Sequence, residues 1–197
     1  MTTFFLLRHG PTAWNAEKRI QGRTDTELSP EGRALAGTWA QALADLEVDA
    51  VLTSDLVRAV ETADLVTAGR DLPTHRDPRL AEQDWGEWTG LVKPELKKLG
   101  KELTRREKQG FDFRPPGGES REEVLCRACD ALMDFAAEHP HGRVLVVTHN
   151  GVLKALLAAL SGLEFLPNDP PLPQGYRLHR IECLDGELAL GGSGPEL

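Results

Sequence analysis

Four consecutive apolar residues at positions 144–147 restrict the fold of this chain more than any other segment. A strand that is apolar at every position must be buried on both faces, which is the situation in a parallel sheet covered by helices. The strand predicted here, Arg143–Thr148, precedes a helical pattern over residues 151–160. The local pattern therefore indicates a protein of the α/β class.

Further strands are predicted on both sides of that segment. Apolar runs at residues 3–7 and 49–53 have the length of buried strands. Residues 177–184 and 187–190 form two strand patterns separated by an Asp-Gly pair, which is a strong hairpin signal. Most of the sheet is thus predicted to be parallel, with an antiparallel hairpin near the C-terminus.

Helix starts are marked by capping residues. Ser29 can cap a helix that has Pro30 at its first position, and the pattern extends to about residue 46. Ser120 and Glu123 form a capping box that opens a long amphipathic helix ending near His139. A further helix is predicted to open at Ser54. Helices between strands predict a three-layer sandwich, with the sheet in the middle and helices on both faces.

The sequence predicts a single domain over residues 1–197 with a lid insertion at about 82–120. Within this insertion, residues 93–114 have eight Lys or Arg residues and four Asp or Glu residues, and a helix is predicted there. Residues 72–80 are predicted to be an extended connection. The Pro-rich segment 166–173 matches no motif.

Charge and cysteine content limit the classes of function. The net charge of -8 argues against nucleic-acid or membrane partners. The N-terminal apolar run is too short for a secretory signal, and the three cysteines are odd in number, so we expect a cytoplasmic protein without disulfides. Cys126 and Cys129 lie in a helical pattern and are predicted to pack rather than to bind metal.

Four cationic or potentially cationic side chains lie where ligands gather in such sheets, at the carboxyl ends of strands. Arg8 and His9 follow the first strand, His149 follows the strand at 143–148, and Arg58 lies early in the helix after the second strand. Arginine forks and helix N-termini bind phosphate. A neutral imidazole can attack phosphorus near pH 7. Glu82 is the candidate proton donor for the leaving oxygen.

These residues stand in an ordered set of motifs that resembles the histidine phosphatase superfamily, also called phosphoglycerate mutase-like. The resemblance covers the chain from Leu7 to about Leu160. Its phosphatase branch, which includes alpha-ribazole phosphatase-like and broad-specificity members, is the more similar one. The motifs are Leu7-Arg8-His9-Gly10-Pro11-Thr12 with Asn15, Arg19-Ile20-Gln21-Gly22, Thr53-Ser54-Asp55 with Arg58, Glu82 with Gly86 and Trp88, Gly118-Glu119-Ser120, and Thr148-His149 with Gly151.

The resemblance implies a role for each matching residue. His9 would be the phosphorylated nucleophile and Glu82 the general acid or base. The phosphate pocket would consist of Arg8, Asn15, Arg58 and His149. Gln21 and Gly22 occupy positions that touch substrate in the family, and Asn150 replaces a frequent glycine while keeping the backbone N–H group that binds phosphate. The resemblance implies neither a metal nor a cofactor.

Three functions fit this pattern. The first is a metal-independent phosphatase that acts on a small phosphorylated metabolite through a phosphohistidine. The second is a phosphoglycerate mutase, and the third is a non-catalytic module that binds phosphorylated metabolites. The short chain and the Arg19-Ile20-Gln21-Gly22 run favour the phosphatase, and the intact His9 and Glu82 argue against the third function. A monomer and a homodimer fit equally well.

Overall fold

A computed structural model of the chain describes residues 1–173 and 175–197, and the side chains of all of these except residues 192–196. Six strands form one sheet in the order β3-β2-β4-β1-β5-β6. The strands are β1 (Thr2–Arg8), β2 (Ala50–Thr53), β3 (Thr74–Arg76), β4 (Arg143–Thr148), β5 (Arg177–Leu184) and β6 (Glu187–Glu196). The α-helices are α1 (Ala13–Ala16), α2 (Pro30–Ala42), α3 (Val57–Val66), α4 (Lys93–Lys98), α5 (Lys101–Glu107), α6 (Arg121–Glu138) and α7 (Asn150–Leu160).

Strand β4 occupies the position that its apolar sequence predicts. It pairs in parallel with β1 on one side and with β2 on the other, and β3 continues the parallel part of the sheet. Strands β5 and β6 add an antiparallel hairpin at the opposite edge. The α/β class and the mainly parallel sheet are therefore confirmed.

Helices cover both faces of the sheet. Alternate residues of a strand point to opposite sides, so neighbouring strand residues pack into two different cores. Leu6 and Val146 belong to the core that contains the apolar sides of α6 and α7. Leu7 and Val147 belong to the second core, with residues of α2 and α3. All four side chains are at most 1% exposed, and each contributes roughly 1.5–3 kcal/mol to folding by burial.

Helix α2 begins as predicted and holds the loop after β1 against the sheet. The Ser29 hydroxyl accepts a hydrogen bond from the Gly32 N–H at 3.0 Å. A Cβ atom at Gly32 would lie 1.9 Å from the Pro11 carbonyl oxygen, so only glycine allows this approach. The helix ends at Ala42, earlier than the predicted residue 46, because the chain turns at residues 43–45.

Two other boundaries differ from the sequence prediction. Helix α3 starts at Val57 rather than at Ser54, because the Ser54 hydroxyl accepts from the Leu56 N–H and leaves the turn extended. Residues 72–80, predicted to be an extended connection, contain the short strand β3 and a 3-10 turn at Pro78–Leu80. The capping box of α6 is present, since Ser120 and Glu123 bond reciprocally at 2.9 and 3.1 Å.

Residues 82–120, called the insert segment below, leave the sheet layers and return to them. The predicted helix over residues 93–114 is divided into α4 and α5 at Gly100, whose φ is +53°. The two ends of the insert segment meet, because the Glu119 N–H donates to the Asp84 carbonyl at 2.9 Å and the Glu87 N–H to the Pro116 carbonyl at 2.9 Å. The two ends of the insert segment are thus joined to each other by backbone hydrogen bonds.

The remaining sequence predictions concern membranes and thiols. Among the residues described, no helix is both long and apolar enough to span a bilayer. The three cysteines are free thiols. Cys129 packs against the core, as predicted, whereas Cys126 is exposed, so the packing prediction is wrong for Cys126 because that side of α6 faces solvent.

Candidate active site

The carboxyl edge of the parallel strands brings together residues that are distant in sequence. Arg8 ends β1 and His9 follows it, while His149 follows β4 and caps the N-terminus of α7. Arg58 lies in the first turn of α3. The imidazole centroids of His9 and His149 are 5.1 Å apart, and both rings are at most 2% exposed. The two arginines and the two histidines thus form one compact cluster, in which Arg8 and Arg58 carry the positive charge.

His9 is held in one tautomer by its own loop. Its Nδ1 lies 2.7 Å from the carbonyl oxygen of Gly10, and a carbonyl can only accept. Nδ1 must therefore carry the proton, which leaves a lone pair on Nε2. Burial, with the positive charges of Arg8 and Arg58, lowers the pKa of His9 well below its ordinary value of 6.5. The ring is neutral at pH 7 and its Nε2 can act as a nucleophile.

His149 has the opposite arrangement. Its Nε2 lies 2.8 Å from the Ser54 hydroxyl oxygen, which also accepts from the Leu56 N–H. In the tautomer in which the hydroxyl donates to Nε2, the ring proton lies on Nδ1. Burial is the main cause that lowers the pKa of His149 well below 6.5, with the neighbouring positive charges acting in the same direction. A neutral His149 thus presents a buried N–H donor.

Arg58 is fully buried and carries its charge into the site. Its two terminal nitrogens donate to the carbonyls of Thr24 at 2.8 Å and Gly22 at 2.9 Å. Burial is the first cause that lowers its pKa, but a guanidinium stays protonated at any physiological pH. Arg8 is held from the other side, with its guanidinium carbon 5.7 Å from the centre of the Tyr176 ring.

Three buried nitrogens of this cluster have no hydrogen-bond partner in the part of the chain that the structure describes. They are the Nε atoms of Arg8 and Arg58 and the Nδ1 atom of His149. A buried donor without a partner costs roughly 1–3 kcal/mol, and such groups are rare in folded proteins. Arg8 and Arg58 line the cavity described below, so an anion with several acceptor oxygens, such as phosphate, can approach their guanidinium groups there.

Glu82 lies at the N-terminus of α7. Its Oε1 accepts from the N–H groups of Gly151 at 3.0 Å and Gln83 at 2.9 Å, and its Oε2 is 3.2 Å from the same Gly151 nitrogen. A Cβ atom at position 151 would lie 2.2 Å from Oε1. Gly151 therefore provides both the donor and the space that hold the carboxylate.

Two amide side chains present their amino groups to the site. The Asn15 Oδ1 accepts from the Thr12 N–H at 3.0 Å. The Gln21 Oε1 accepts from the hydroxyls of Thr26 at 2.6 Å and Thr12 at 3.0 Å. Because both oxygens are engaged, the Nδ2 of Asn15 and the Nε2 of Gln21 remain as donors.

These groups surround a cavity of about 140 Å³. His149 does not line this cavity, whereas Asn150, the first residue of α7, does. Three lining residues, Arg19, Ile20 and Trp85, belong to the sequence motifs or their surroundings but were not predicted as site residues. The cavity is lined by Arg8, His9, Asn15, Arg19, Ile20, Gln21, Gly22, Arg58, Glu82, Trp85 and Asn150.

A nearly buried ion pair supports Glu82 and was not predicted. Arg127 Nε lies 2.7 Å from Glu119 Oε1, and the two side chains are 14% and 12% exposed. Arg127 also donates to the Glu82 carbonyl at 3.3 Å, and the Gln83 amide donates to the Glu119 carbonyl at 2.8 Å. Glu119 stands in a motif of the sequence, whereas Arg127 lies in mid-helix with no local signal.

In the part of the chain that the structure describes, no group of three or more His, Cys, Asp or Glu side chains is arranged to hold a metal ion. The positive charge in the cavity comes from Arg8, Arg58 and Arg19, of which Arg19 is paired with Glu17, and from the N-terminal end of α7.

Comparison with known proteins identifies the class. The family model of the histidine phosphatase superfamily (branch 1) matches residues 4–183, and the chain belongs to this family.

Its relatives include both phosphatases and mutase-like proteins. "Phosphoglycerate mutase-like protein 4" of Arabidopsis thaliana is 38% identical over 77% of this chain and 67% of its own length. "Glucosyl-3-phosphoglycerate phosphatase" of Mycolicibacterium vanbaalenii is 34% identical over 80% of this chain and 73% of its own length.

Solved structures of similar proteins share the fold over nearly the whole chain. YhfR of Bacillus stearothermophilus has a TM-score of 0.86 and 34% identity, and covers 97% of this chain and 96% of its own. The alpha-ribazole phosphatase of Shigella flexneri has a TM-score of 0.79 and 26% identity, and covers 98% of this chain and 96% of its own.

Proposed function

We propose that this protein is a metal-independent phosphatase that hydrolyses a small phosphomonoester metabolite through a phosphohistidine on His9. One observation carries the proposal. The bond from Nδ1 to the Gly10 carbonyl leaves the lone pair on Nε2, in a ring that lines a cavity with unpartnered cationic donors. This combination provides a nucleophile and a phosphate pocket in one place.

The reaction takes two displacements at phosphorus. In the first, His9 Nε2 forms a bond to phosphorus while the phosphorus–oxygen bond to the substrate alcohol breaks, and Glu82 gives its proton to the leaving oxygen. In the second, a water oxygen bonds to phosphorus, the nitrogen–phosphorus bond breaks, and Glu82 takes the proton from water. The guanidinium groups of Arg8 and Arg58, which line the cavity, stabilise the charge on the phosphoryl oxygens, and we assign the same role to His149, whose ring centroid is 5.1 Å from that of His9.

Trapping of the phosphoenzyme tests the role of His9. A phosphomonoester labelled with ³²P should give an acid-labile label on the peptide that contains His9. His9→Ala should abolish both the label and turnover, while His141→Ala, which changes an exposed histidine, should retain both. Label on the peptide that contains His149 would contradict the assignment.

Metal independence is tested separately. Arginines and a helix N-terminus supply the positive charge that a metal would provide in other phosphatases. Turnover should therefore survive dialysis against EDTA without loss. A loss that magnesium or zinc restores would contradict the proposal.

The mutase function is the second candidate, because relatives of 36–38% identity are named as phosphoglycerate mutases or mutase-like proteins. Phosphate release and isomerisation of 3-phosphoglycerate should be followed in the same sample. The phosphatase proposal expects phosphate release without isomerisation.

We also propose a cytoplasmic location, which three free thiols support.

A further inference from the structure

A buried hydroxyl joins the loop that follows His9 to the helix that carries Arg58. Thr62 lies on α3, one turn after Arg58, and its side chain is fully buried. Its Oγ1 atom is 2.9 Å from the Gly10 nitrogen and 2.7 Å from the Arg58 carbonyl oxygen. Two segments of the site that are far apart in the sequence thus meet at one oxygen atom.

The direction of both hydrogen bonds follows from the groups involved. A backbone N–H can only donate, so the Thr62 oxygen accepts from Gly10. A carbonyl can only accept, so the hydroxyl proton goes to Arg58. The hydroxyl is therefore donor and acceptor at once. A side chain without oxygen at position 62 would leave the buried Gly10 N–H without this partner, which is unfavourable in a protein interior.

The Gly10 peptide is the part of the chain that orients the His9 ring. The His9 N–H donates to the Thr148 carbonyl of β4 at 2.9 Å, so the chain is fixed to the sheet just before the His9 side chain. The Gly10 N–H is fixed to Thr62 just after it. Between these two anchors, His9 Nδ1 lies 2.7 Å from the Gly10 carbonyl oxygen, and this contact leaves the lone pair on Nε2. Thr62 thus provides one of the two anchors of the nucleophile.

Helix α3 is also held in place by contacts that do not involve Thr62. Ala59 and Ala63 are at most 1% exposed and pack in the core on that face of the sheet. The Glu61 carboxylate accepts from the Leu28 N–H at 2.8 Å. Loss of the Thr62 hydroxyl should therefore release the Gly10 peptide while the helix and the fold remain.

We propose that Thr62 is a positioning residue for the nucleophile, because its hydroxyl fixes the Gly10 peptide and, through that peptide, the orientation of the His9 ring. This inference rests on the proposed function, since it takes His9 as the phosphate acceptor. Thr62 does not line the cavity, and the Arg58 guanidinium keeps its own carbonyl partners. The contribution of Thr62 should therefore appear in the rate of phosphoryl transfer and not in the binding of substrate.

Thr62→Val tests the inference, because valine keeps the branched side chain and lacks the hydroxyl. Rapid-quench measurement should show that p-nitrophenyl phosphate phosphorylates this variant about 10- to 100-fold more slowly than the wild type, the scale for a nucleophile displaced by up to about 1 Å. The substrate concentration that gives half the maximal rate should change by less than about threefold. An alkyl phosphate should lose the same factor, since His9 attacks both substrates.

Thr62→Ser and Thr67→Val are the matched controls. Serine keeps the hydroxyl, so Thr62→Ser should transfer phosphate within about threefold of the wild-type rate. Thr67 ends the same helix, and its hydroxyl donates to the Ala63 carbonyl at 2.8 Å in the same manner, but it does not line the cavity. Thr67→Val should therefore keep the wild-type rate. Should Thr62→Val fail to fold, Thr62→Cys, whose thiol is only a weak donor and acceptor, should show the loss in its place.

Nitrogen-15 NMR of the imidazoles gives a readout that a purely structural role of Thr62 would not change. The His9 signals are identified by their absence from the spectrum of His9→Ala. In the wild type they should show the proton on Nδ1 alone, and in Thr62→Val they should show a mixture of the two neutral tautomers.

Three results would overturn the inference. They are an unchanged rate in Thr62→Val, an unchanged His9 tautomer in that variant, and a loss of rate in Thr62→Ser or Thr67→Val equal to that in Thr62→Val. Failure of the wild-type protein to form any phosphoenzyme would contradict the proposed function instead, and the NMR comparison would still decide whether Thr62 orients the His9 ring.

Discussion

The contact between Gly151 and Glu82 leads to a prediction about a single methyl group. In Gly151→Ala the new Cβ would lie 2.2 Å from Oε1 of Glu82, whereas ordinary van der Waals contact begins at 3.4 Å. The carboxylate must therefore retreat by about 1 Å, and its bonds to the position-151 N–H at 3.0 and 3.2 Å must lengthen or break. The preference of an α-helix for alanine over glycine, about 1 kcal/mol in a helix interior, applies only in part, because residue 151 lies in the first turn of α7.

The size of the effect follows from that displacement. Misplacing a catalytic group by about 1 Å can cost about 100-fold in rate, which is about 2.7 kcal/mol of transition-state stabilisation. We expect this loss in the step that phosphorylates the enzyme from an alkyl phosphate, because an alkoxide leaves poorly without a proton. p-Nitrophenyl phosphate should lose far less in the same step, since nitrophenolate leaves without one.

Rapid-quench measurement of the burst phase isolates that step for both substrates. Steady-state rates are unsuitable, because Glu82 also serves the hydrolysis of the phosphoenzyme, which both substrates share. Glu82→Gln is the reference variant. Adding Gly151→Ala to Glu82→Gln should cost little more, since both changes act on one group and are coupled. Urea denaturation should show that Gly151→Ala remains folded, with a loss of stability no larger than the roughly 1–3 kcal/mol of an N–H group that loses its partner.

Two results would refute this reasoning. A burst rate for the alkyl phosphate within twofold of wild type would mean that the position of the Glu82 carboxylate at Gly151 has no catalytic importance. Equal losses for the alkyl and p-nitrophenyl substrates would mean that the proton donor is another group, and Asp84 is the nearest carboxylate in sequence to test.

Three further predictions follow from the cationic cluster and the insert segment. Arg58→Lys cannot copy the bonds to Gly22 and Thr24, and kcat/KM should fall by roughly 2–4 kcal/mol in transition-state terms; near-normal kinetics would exclude Arg58 from the phosphate pocket. His9 and His149 have lowered pKa values in the folded state, so the unfolded chain binds more protons below pH 6.5. The free energy of unfolding should therefore fall as pH decreases below about 6.5, by up to about 1.4 kcal/mol per pH unit for each ring, and His149→Asn should reduce this slope in urea titrations. The exposed lysines of the insert segment should attract anionic substrate. Replacing them with glutamate should therefore lower kcat/KM more at low salt than at high salt, and an equal loss at both salt concentrations would contradict electrostatic steering. The lysines to be replaced are Lys97, Lys98 and Lys101.

Local sequence patterns predicted the sheet well because a strand that is buried on both faces has an uninterrupted apolar sequence. The apolar residues 144–147 placed β4 between two parallel neighbours. The strand ends then located Arg8, His9 and His149 without any knowledge of their contacts. Strand β3 was not predicted, because its three residues, Thr74–Arg76, are exposed and polar and show no period.

Contacts between distant segments could not be predicted from local sequence patterns. Arg127 reads as a surface residue of an amphipathic helix, and only the fold shows that it reaches Glu119 and the carbonyl of Glu82. The dependence of Glu82 on Gly151 is similar, because the two are far apart in the sequence and meet only when α7 is in place. Ser54 was predicted to open a helix, whereas its hydroxyl contacts His149.

The joined ends of the insert segment have a consequence for how this scaffold can be altered. The hydrogen bonds of Glu119 with Asp84 and of Glu87 with Pro116 close the loop at its base, beside the sheet. Doubling the length of a loop with fixed ends costs only about 0.6 kcal/mol in closure entropy. The mostly exposed stretch 97–105 can therefore be changed in length as well as in sequence, because buried Trp88 and Phe113 and the backbone bonds between residues 90–93 and 18–20 hold the base of the insert segment in place. Such changes would leave the nucleophile and the residues that line the cavity beside it untouched.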